Sequence, residues 1–264
     1  MMYTYNEEFY RYINRGSLAS AEVVVPAVLD LLPVPVADVL DVGCGAGAWL
    51  SVWKSRGVGV TGLDGAYVDA SALLIDPDEF HAHDLTTPFP LQRRFDLVQS
   101  LEVAEHLPEP AAADFVANLC ASTDIVLFSA AAPGQGGENH VNEQPYEYWQ
   151  ALFDSEGFVM YDAVRDGILN NRDVMPWYRF NTFLYVRESA AAEVHAALAA
   201  TRVDLETTPL DKSPWLYQWR KRAILALPVR QRTQIAVLKK RLQNTLRRNP
   251  GPDTAAATRE HPPG

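Results

Sequence analysis

The chain has 264 residues, 48% of them hydrophobic and 21% charged, which excludes a disordered or low-complexity protein and suits one α/β domain with additions. Two cysteines, Cys44 and Cys120, exclude a disulfide framework and a four-cysteine zinc site. The net charge of −10 is unevenly spread: residues 215–250 carry ten Lys/Arg and no acid, whereas residues 1–214 hold 12 bases against 31 acids. An acidic body is a poor match for a nucleic-acid backbone, so a small or neutral substrate is expected there and a separate role for the basic segment. The first eight residues carry Glu7 and Glu8 where a secretory signal needs positive charge. No apolar run approaches the roughly 20 residues of a membrane span. A cytoplasmic protein is the expectation.

In chain order, residues 1–35 predict an N-terminal helical cap, with a helix over 18–32 bent at Pro26. A strand over 36–42 runs into a glycine-rich turn, 41–47 (DVGCGAG), and a helix over 48–56. Further strands are predicted at 58–63, 79–84, 95–100, 124–130, 157–164 and 180–186, with helices at 110–120 and 146–156. Short β-rich runs between helical patterns imply a mostly parallel sheet covered on both faces. Residues 188–250 read as a helical extension and 251–264 as a disordered tail.

Glycines at Gly43, Gly45 and Gly47 let a strand-to-helix turn approach a ligand closely, beside the positive end of the helix. Alone, such a turn suits a dinucleotide equally well. An NAD-type fingerprint, however, places a third glycine where Ala48 stands. Asp64, at the end of the second strand, can accept both ribose hydroxyls, and Asp84, at the end of the third, can read an adenine amino group. Either could instead serve only as a helix cap.

The turn, Asp64, HDL at 83–85 and FDLVQSLEVAEHL at 95–107 together resemble class I S-adenosylmethionine-dependent methyltransferases, over about residues 36–187. The resemblance implies an α/β, Rossmann-like fold: a seven-stranded, mostly parallel sheet flanked by helices, its last strand antiparallel. It places Asp41, Gly43 and Gly45 at the methionine portion of S-adenosylmethionine, Asp64 at the ribose, and Asp84 and Leu85 at the adenine. Ser100 and Leu101 would lie along the ligand.

Glu102, Glu105 and His106 sit at i, i+3 and i+4, so a helix starting there would turn all three to one face. Oxygen ligands with one nitrogen suit Mg²⁺ or Mn²⁺. The same acids could merely order the loop. After the fifth strand, the glycine-rich loop 133–145 carries His140, the natural general base for a hydroxyl. Asn142, Glu143 and Gln144 could bind a polyol or simply form the turn. Glu102, Glu105, His106 and a later loop histidine also match the metal-ligand pattern of small-RNA 3′-terminal 2′-O-methyltransferases. By that resemblance Glu102, Glu105, His106 and His140 would hold the metal, with His140, His106 and Glu102 acting on the acceptor.

Several stretches are also similar to methyltransferases of polysaccharide and glycosylated natural-product pathways. The expected activity is methyl transfer to a hydroxyl of a small glycoside or other sugar-containing acceptor, assisted by a divalent metal. The alternatives are RNA 2′-O-methylation and a metal-free small-molecule methyltransferase. Trp149, Phe153, Trp177 and Tyr178 could stack on a sugar but read better as core. In the basic segment, Ile235, Leu238, Leu242 and Leu246 share one helical face behind Trp215 and Trp219. That face could meet an anionic membrane, a protein partner or the acidic body.

Overall fold

The computed structural model describes residues 7–227 apart from Gln92. Its centre is one sheet of eight strands in the order β3-β2-β1-β4-β5-β7-β6-β8. β1 (Asp38–Val42), β2 (Gly59–Asp64), β3 (Phe80–Ala82), β4 (Leu97–Leu101) and β5 (Ile125–Ser129) pair in parallel. β4 and β5 are buried along their whole length, as continuous apolar strands covered by helices on both faces must be. β6 (Phe158–Tyr161) and β7 (Phe183–Arg187) complete the expected seven, with β7 antiparallel to both of its neighbours. β7 starts three residues later than predicted, because a short helix, Pro176–Asn181, takes up Phe180 and Asn181. The two-residue β8 (Arg202–Val203) adds the eighth strand at the edge.

Strand order reverses between β1 and β4, so their carboxyl ends open a crevice where open α/β sheets bind ligands. On one face of the sheet, α1 (Glu7–Leu31) and α2 (Ala48–Ser55) pack together, with Ala21, Val24, Val25 and Val28 fully buried. α1 continues through Pro26 and starts well before the predicted residue 18. The Ser20 hydroxyl ties it down, accepting the Met175 amide at 3.0 Å and donating to the Gly16 carbonyl at 2.7 Å. On the other face, α3 (Ala112–Ser122) and α4 (Tyr146–Ser155) bury Phe115, Leu119, Trp149 and Phe153. Phe153 stacks on Tyr185 with ring centres 3.8 Å apart. Trp149, Phe153 and Tyr178 are therefore core, and only Trp177 is half-buried.

α5 (Val164–Ile168) and α6 (Pro176–Asn181) lie between β6 and β7, α7 (Ala192–Leu198) lies between β7 and β8, and α8 (Trp215–Leu225) follows the last strand. No helix among the described residues is long and apolar enough to cross a membrane. The predicted helical face of Ile235, Leu238, Leu242 and Leu246 and the predicted tail 251–264 lie outside the described residues.

Candidate active site

The turn after β1 is built on backbone that side chains rarely adopt. Gly43 has φ 85°, and a Cβ there would fall 2.3 Å from a Val103 methyl, so strand end and β4 loop can meet only at glycine. Its amide and that of Cys44 donate to the Leu63 carbonyl, at 2.7 and 3.2 Å, which locks the turn to the end of β2. Asp64, at that end, is buried and accepts the Gly45 and Gly65 amides at 2.7 and 2.6 Å. The Tyr67 hydroxyl donates to its Oδ1 as well. Burial pushes the Asp64 carboxyl up, and these three donors only partly offset it. Asp41 is also buried; desolvation, joined by the charge of Asp64, raises it to about 7, with the Gln99 side chain easing the shift.

Asp84 stands two residues beyond β3, exposed, and accepts from the Thr86 amide and hydroxyl at 3.0 and 2.7 Å. Those bonds hold its carboxyl below the ordinary range. Leu85 beside it is buried. Ser100 is buried and donates to the Val42 carbonyl at 2.9 Å, stitching β4 to β1, and buried Leu101 closes the strand.

Asp41 yields a stability prediction. Its folded value of about 7 exceeds the ordinary 3.8, so the fold is most favoured where the group is protonated in both states. Stability is lost as pH rises through that window and stays lost above it, each unit being worth about 1.4 kcal/mol. Asp41→Asn is therefore expected to raise the melting temperature of the cofactor-free protein at mildly alkaline pH. Near pH 4 it should do little. Melting curves at the two pH values check this.

The acceptor side is built around a single 3-10 turn, Ala104–His106, where the spacing predicts a helix from 102. Glu102 precedes that turn with φ 60°, in the left-handed region, and is not among the side chains whose ligand atoms converge with Glu105, although its charge lies beside that residue. Its carboxylate instead accepts from Gln135 Nε2 at 2.5 Å and Asn181 Nδ2 at 3.2 Å. Asn181 also donates to Gln135 Oε1 at 2.7 Å and accepts the Tyr146 hydroxyl at 2.9 Å. Burial nevertheless raises the Glu102 carboxyl.

Glu105, His106 and His140 do converge: one ligand atom from each lies within 4.8 Å of the others. The two imidazoles stand edge to face, with ring centres 4.9 Å apart and planes at 86°. His106 Nδ1 donates to the Asn139 carbonyl at 3.1 Å, which leaves Nε2 with a free lone pair. Burial and the neighbouring His140 push His106 down to about 4, so its imidazole is neutral. His140 Nδ1 donates to Glu143 Oε1 at 2.9 Å. Glu143 also accepts the Gly134 and Gly136 amides, at 2.9 and 2.7 Å. Burial works against the Glu143 charge, but these donors outweigh it and hold the carboxyl low. Because a carboxylate oxygen only accepts, the hydrogen of the His140–Glu143 bond sits on Nδ1, which turns Nε2 away from Glu143.

Glu105 is fully buried, and neither carboxylate oxygen meets a donor with hydrogen-bond geometry among the described residues. Desolvation and the charge of Glu102 raise it well above the ordinary range, and nearby backbone amides offset only part. A buried carboxylate whose oxygens meet no donor, facing the neutral His106 imidazole and the His140 ring, is a donor set that a divalent cation fits.

Gly137 makes room for His140, because a Cβ there would fall 2.0 Å from Nε2 and 2.4 Å from Cε1. Gly137→Ala must turn the ring away from Glu143. It is expected to lower kcat about 100-fold while leaving cofactor affinity and melting temperature near wild type. Steady-state kinetics and a titration of the cofactor check the two halves separately.

Gln135, which falls inside the predicted loop 133–145, and Asn181 and Tyr67 join the site without any marking in the sequence. Asn181 reaches the site from α6, 79 residues after Glu102. No local pattern marks it; only the antiparallel return of β7 beside β5 brings it there.

Comparison with known proteins defines the class. A family model described as a methyltransferase domain matches residues 16–164, more than half of the chain, and the chain belongs to that family. With its sheet order and glycine turn, it is a class I methyltransferase domain of the S-adenosylmethionine-dependent type. A ubiquinone biosynthesis O-methyltransferase of Stutzerimonas stutzeri (strain A1501) is 31% identical over 127 residues, 45% of this chain and 50% of that protein. The chain spans half or less of the length of such curated relatives.

Among solved structures, the sugar N-methyltransferase KedS8 from Streptoalloteichus sp ATCC 53650 superposes with a TM-score of 0.53 at 18% identity. The superposition covers 72% of this chain and 98% of that one. DesVI of Streptomyces venezuelae superposes at 0.51 with 17% identity, covering 70% and 100%. These two likenesses show the shared fold.

Proposed function

We propose that the protein transfers the methyl group of S-adenosylmethionine to a hydroxyl oxygen of a small hydroxylated acceptor, a glycoside in the first instance. The observation that carries this reading is the convergence of Glu105, His106 and His140 beside the crevice at the sheet's carboxyl edge. The curated relatives, which are O-methyltransferases matched over half or less of their length, lend support to oxygen as the accepting atom.

In this reading Asp64 orients the cofactor through its ribose, and Asp41 with Gly43 and Gly45 borders the methionine portion. The acceptor oxygen attacks in line with the carbon–sulfur bond; an oxygen–carbon bond forms as S-adenosylhomocysteine leaves. Glu105, His106 and His140 would hold a divalent cation, which makes a hydroxyl easier to deprotonate and suits the vicinal hydroxyls of a sugar. Glu102, held by Gln135 and Asn181, flanks that group and orders the loop carrying it.

The His140–Glu143 pair favours a second, metal-free version of the same transfer. There His140 Nε2 takes the hydroxyl proton as general base, with Glu143 stabilising the imidazolium. A panel of simple glycosides, phenols and amines, each incubated with S-adenosylmethionine and the full chain, tests the acceptor class. Methylated glycosides are expected; turnover of amines alone would sink the proposal.

A further inference from the structure

α8 has two faces of unlike character. Its inner face is anchored on the loop that carries His140. Lys221 and Ile224 are buried, and the Lys221 ammonium pairs with Asp211 at 2.5 Å. Tyr217 packs on Phe180 with ring centres 5.6 Å apart, and Arg220 donates to the Gln135 carbonyl at 3.1 Å. The backbone at Lys221 comes so close to Gly134 that a Cβ there would fall 2.3 Å from its carbonyl oxygen. The helix is thus held in a fixed orientation.

The outer face is apolar. Trp215, Leu216 and Trp219 are 68, 63 and 64% exposed, and the two indoles stand one helical turn apart. A solvent-facing helix surface is normally polar; two outward tryptophans beside a leucine have no role in this core. Basic groups border them. Arg222 is exposed and Arg220 half-exposed, and among the described residues neither has a carboxylate partner. Arg179, near Arg172, lies beside Tyr217 of α8 and adds positive charge on this side of the molecule; partial burial and the Arg172 charge both lower its pKa. They too have no ion pair among the described residues. This stands out in a chain whose first 214 residues hold 31 acids against 12 bases. Beyond α8 the sequence adds Arg230, Arg232, Lys239, Lys240, Arg241, Arg247 and Arg248 before the next acid, Asp253.

We propose that the outer face of α8 docks the protein on an anionic membrane surface, the excess of Lys/Arg in the sequence from residue 215 to 250 adding charge attraction. Indoles partition to the headgroup level of a bilayer, and a flanking Lys/Arg adds about 1 kcal/mol each near an anionic leaflet. The acidic body, repelled by the same leaflet, would leave α8 as the contacting side. A second copy of this chain is the competing occupant of the apolar face.

The test uses the full chain with vesicles of phosphatidylcholine containing phosphatidylglycerol, and with vesicles of phosphatidylcholine alone. The protein should sediment with the anionic vesicles, with blue-shifted tryptophan emission, and be released by salt. The double variant Trp215→Ser/Trp219→Ser removes only exposed indoles, so its melting temperature should hold while vesicle partition falls at least about tenfold. Arg222→Glu should weaken binding and leave the remainder less sensitive to salt than that of the wild type. Equal partition of the double variant, equal binding to uncharged vesicles, or no binding at all would overturn the proposal. So would light scattering that shows a dimer dissolved by the same two substitutions.

Discussion

Thorough chelation is expected to abolish methyl transfer, by about 100-fold or more, and to leave S-adenosylmethionine affinity unchanged. The reason is spatial. The carboxylate and two imidazoles that converge belong to the turn after β4 and the loop after β5, whereas the residues proposed for the methionine portion and the ribose lie at the ends of β1 and β2. Restoring Mg²⁺ or Mn²⁺ should restore turnover. Glu105→Gln should lose the cation, read directly by Mn²⁺ titration in electron paramagnetic resonance, and its melting temperature should not fall. The native Glu105 is a buried acid with no donor, so an uncharged amide costs the fold little beyond its own unmet hydrogen bonds. Full activity of chelated enzyme would remove the cation and leave His140, held by Glu143, as sole base.

Asp64→Ala is expected to weaken S-adenosylmethionine binding about 100-fold or more. A hydrogen bond to a charged group contributes about 1.5–3 kcal/mol, and one carboxylate can accept two ribose hydroxyls. The same side chain braces the turn through the Gly45 amide, so the loss includes disorder of the glycine loop. Tyr67→Phe separates these contributions. It removes the hydroxyl that competes for Oδ1 and keeps the Gly45 bond, so affinity should hold or rise. Isothermal titration of the three proteins checks both statements.

How far these features could be read beforehand depends on their range along the chain. The glycine turn and Asp64 were legible because an apolar run stopped by an acid or glycine is a local signal of a strand end. The helical reading of 102–106 failed locally, at one residue. Glu102 takes φ 60°, which spacing rules assume only glycine or asparagine will adopt, and its carboxylate turns to Gln135 and Asn181. The partners themselves were hidden for another reason. Asn181 comes from a helix that sequence analysis read as the start of a strand, and Glu143 was open between turn former and polyol ligand. Its bond to His140 depends on the fold of the loop, where Asn139 also adopts a positive φ. The exposed face of α8 is legible only once its inner face is seen to be fully engaged.

The most direct measurement supplies methyl-labelled S-adenosylmethionine and a reactive glycoside to wild type and His140→Ala, and locates the label by NMR. The label is expected on an ether oxygen of the wild-type product, and the His140 variant should bind the cofactor normally but leave the acceptor unlabelled. Label on nitrogen or carbon, or undiminished labelling by His140→Ala, would contradict a hydroxyl methyltransferase built on this cluster.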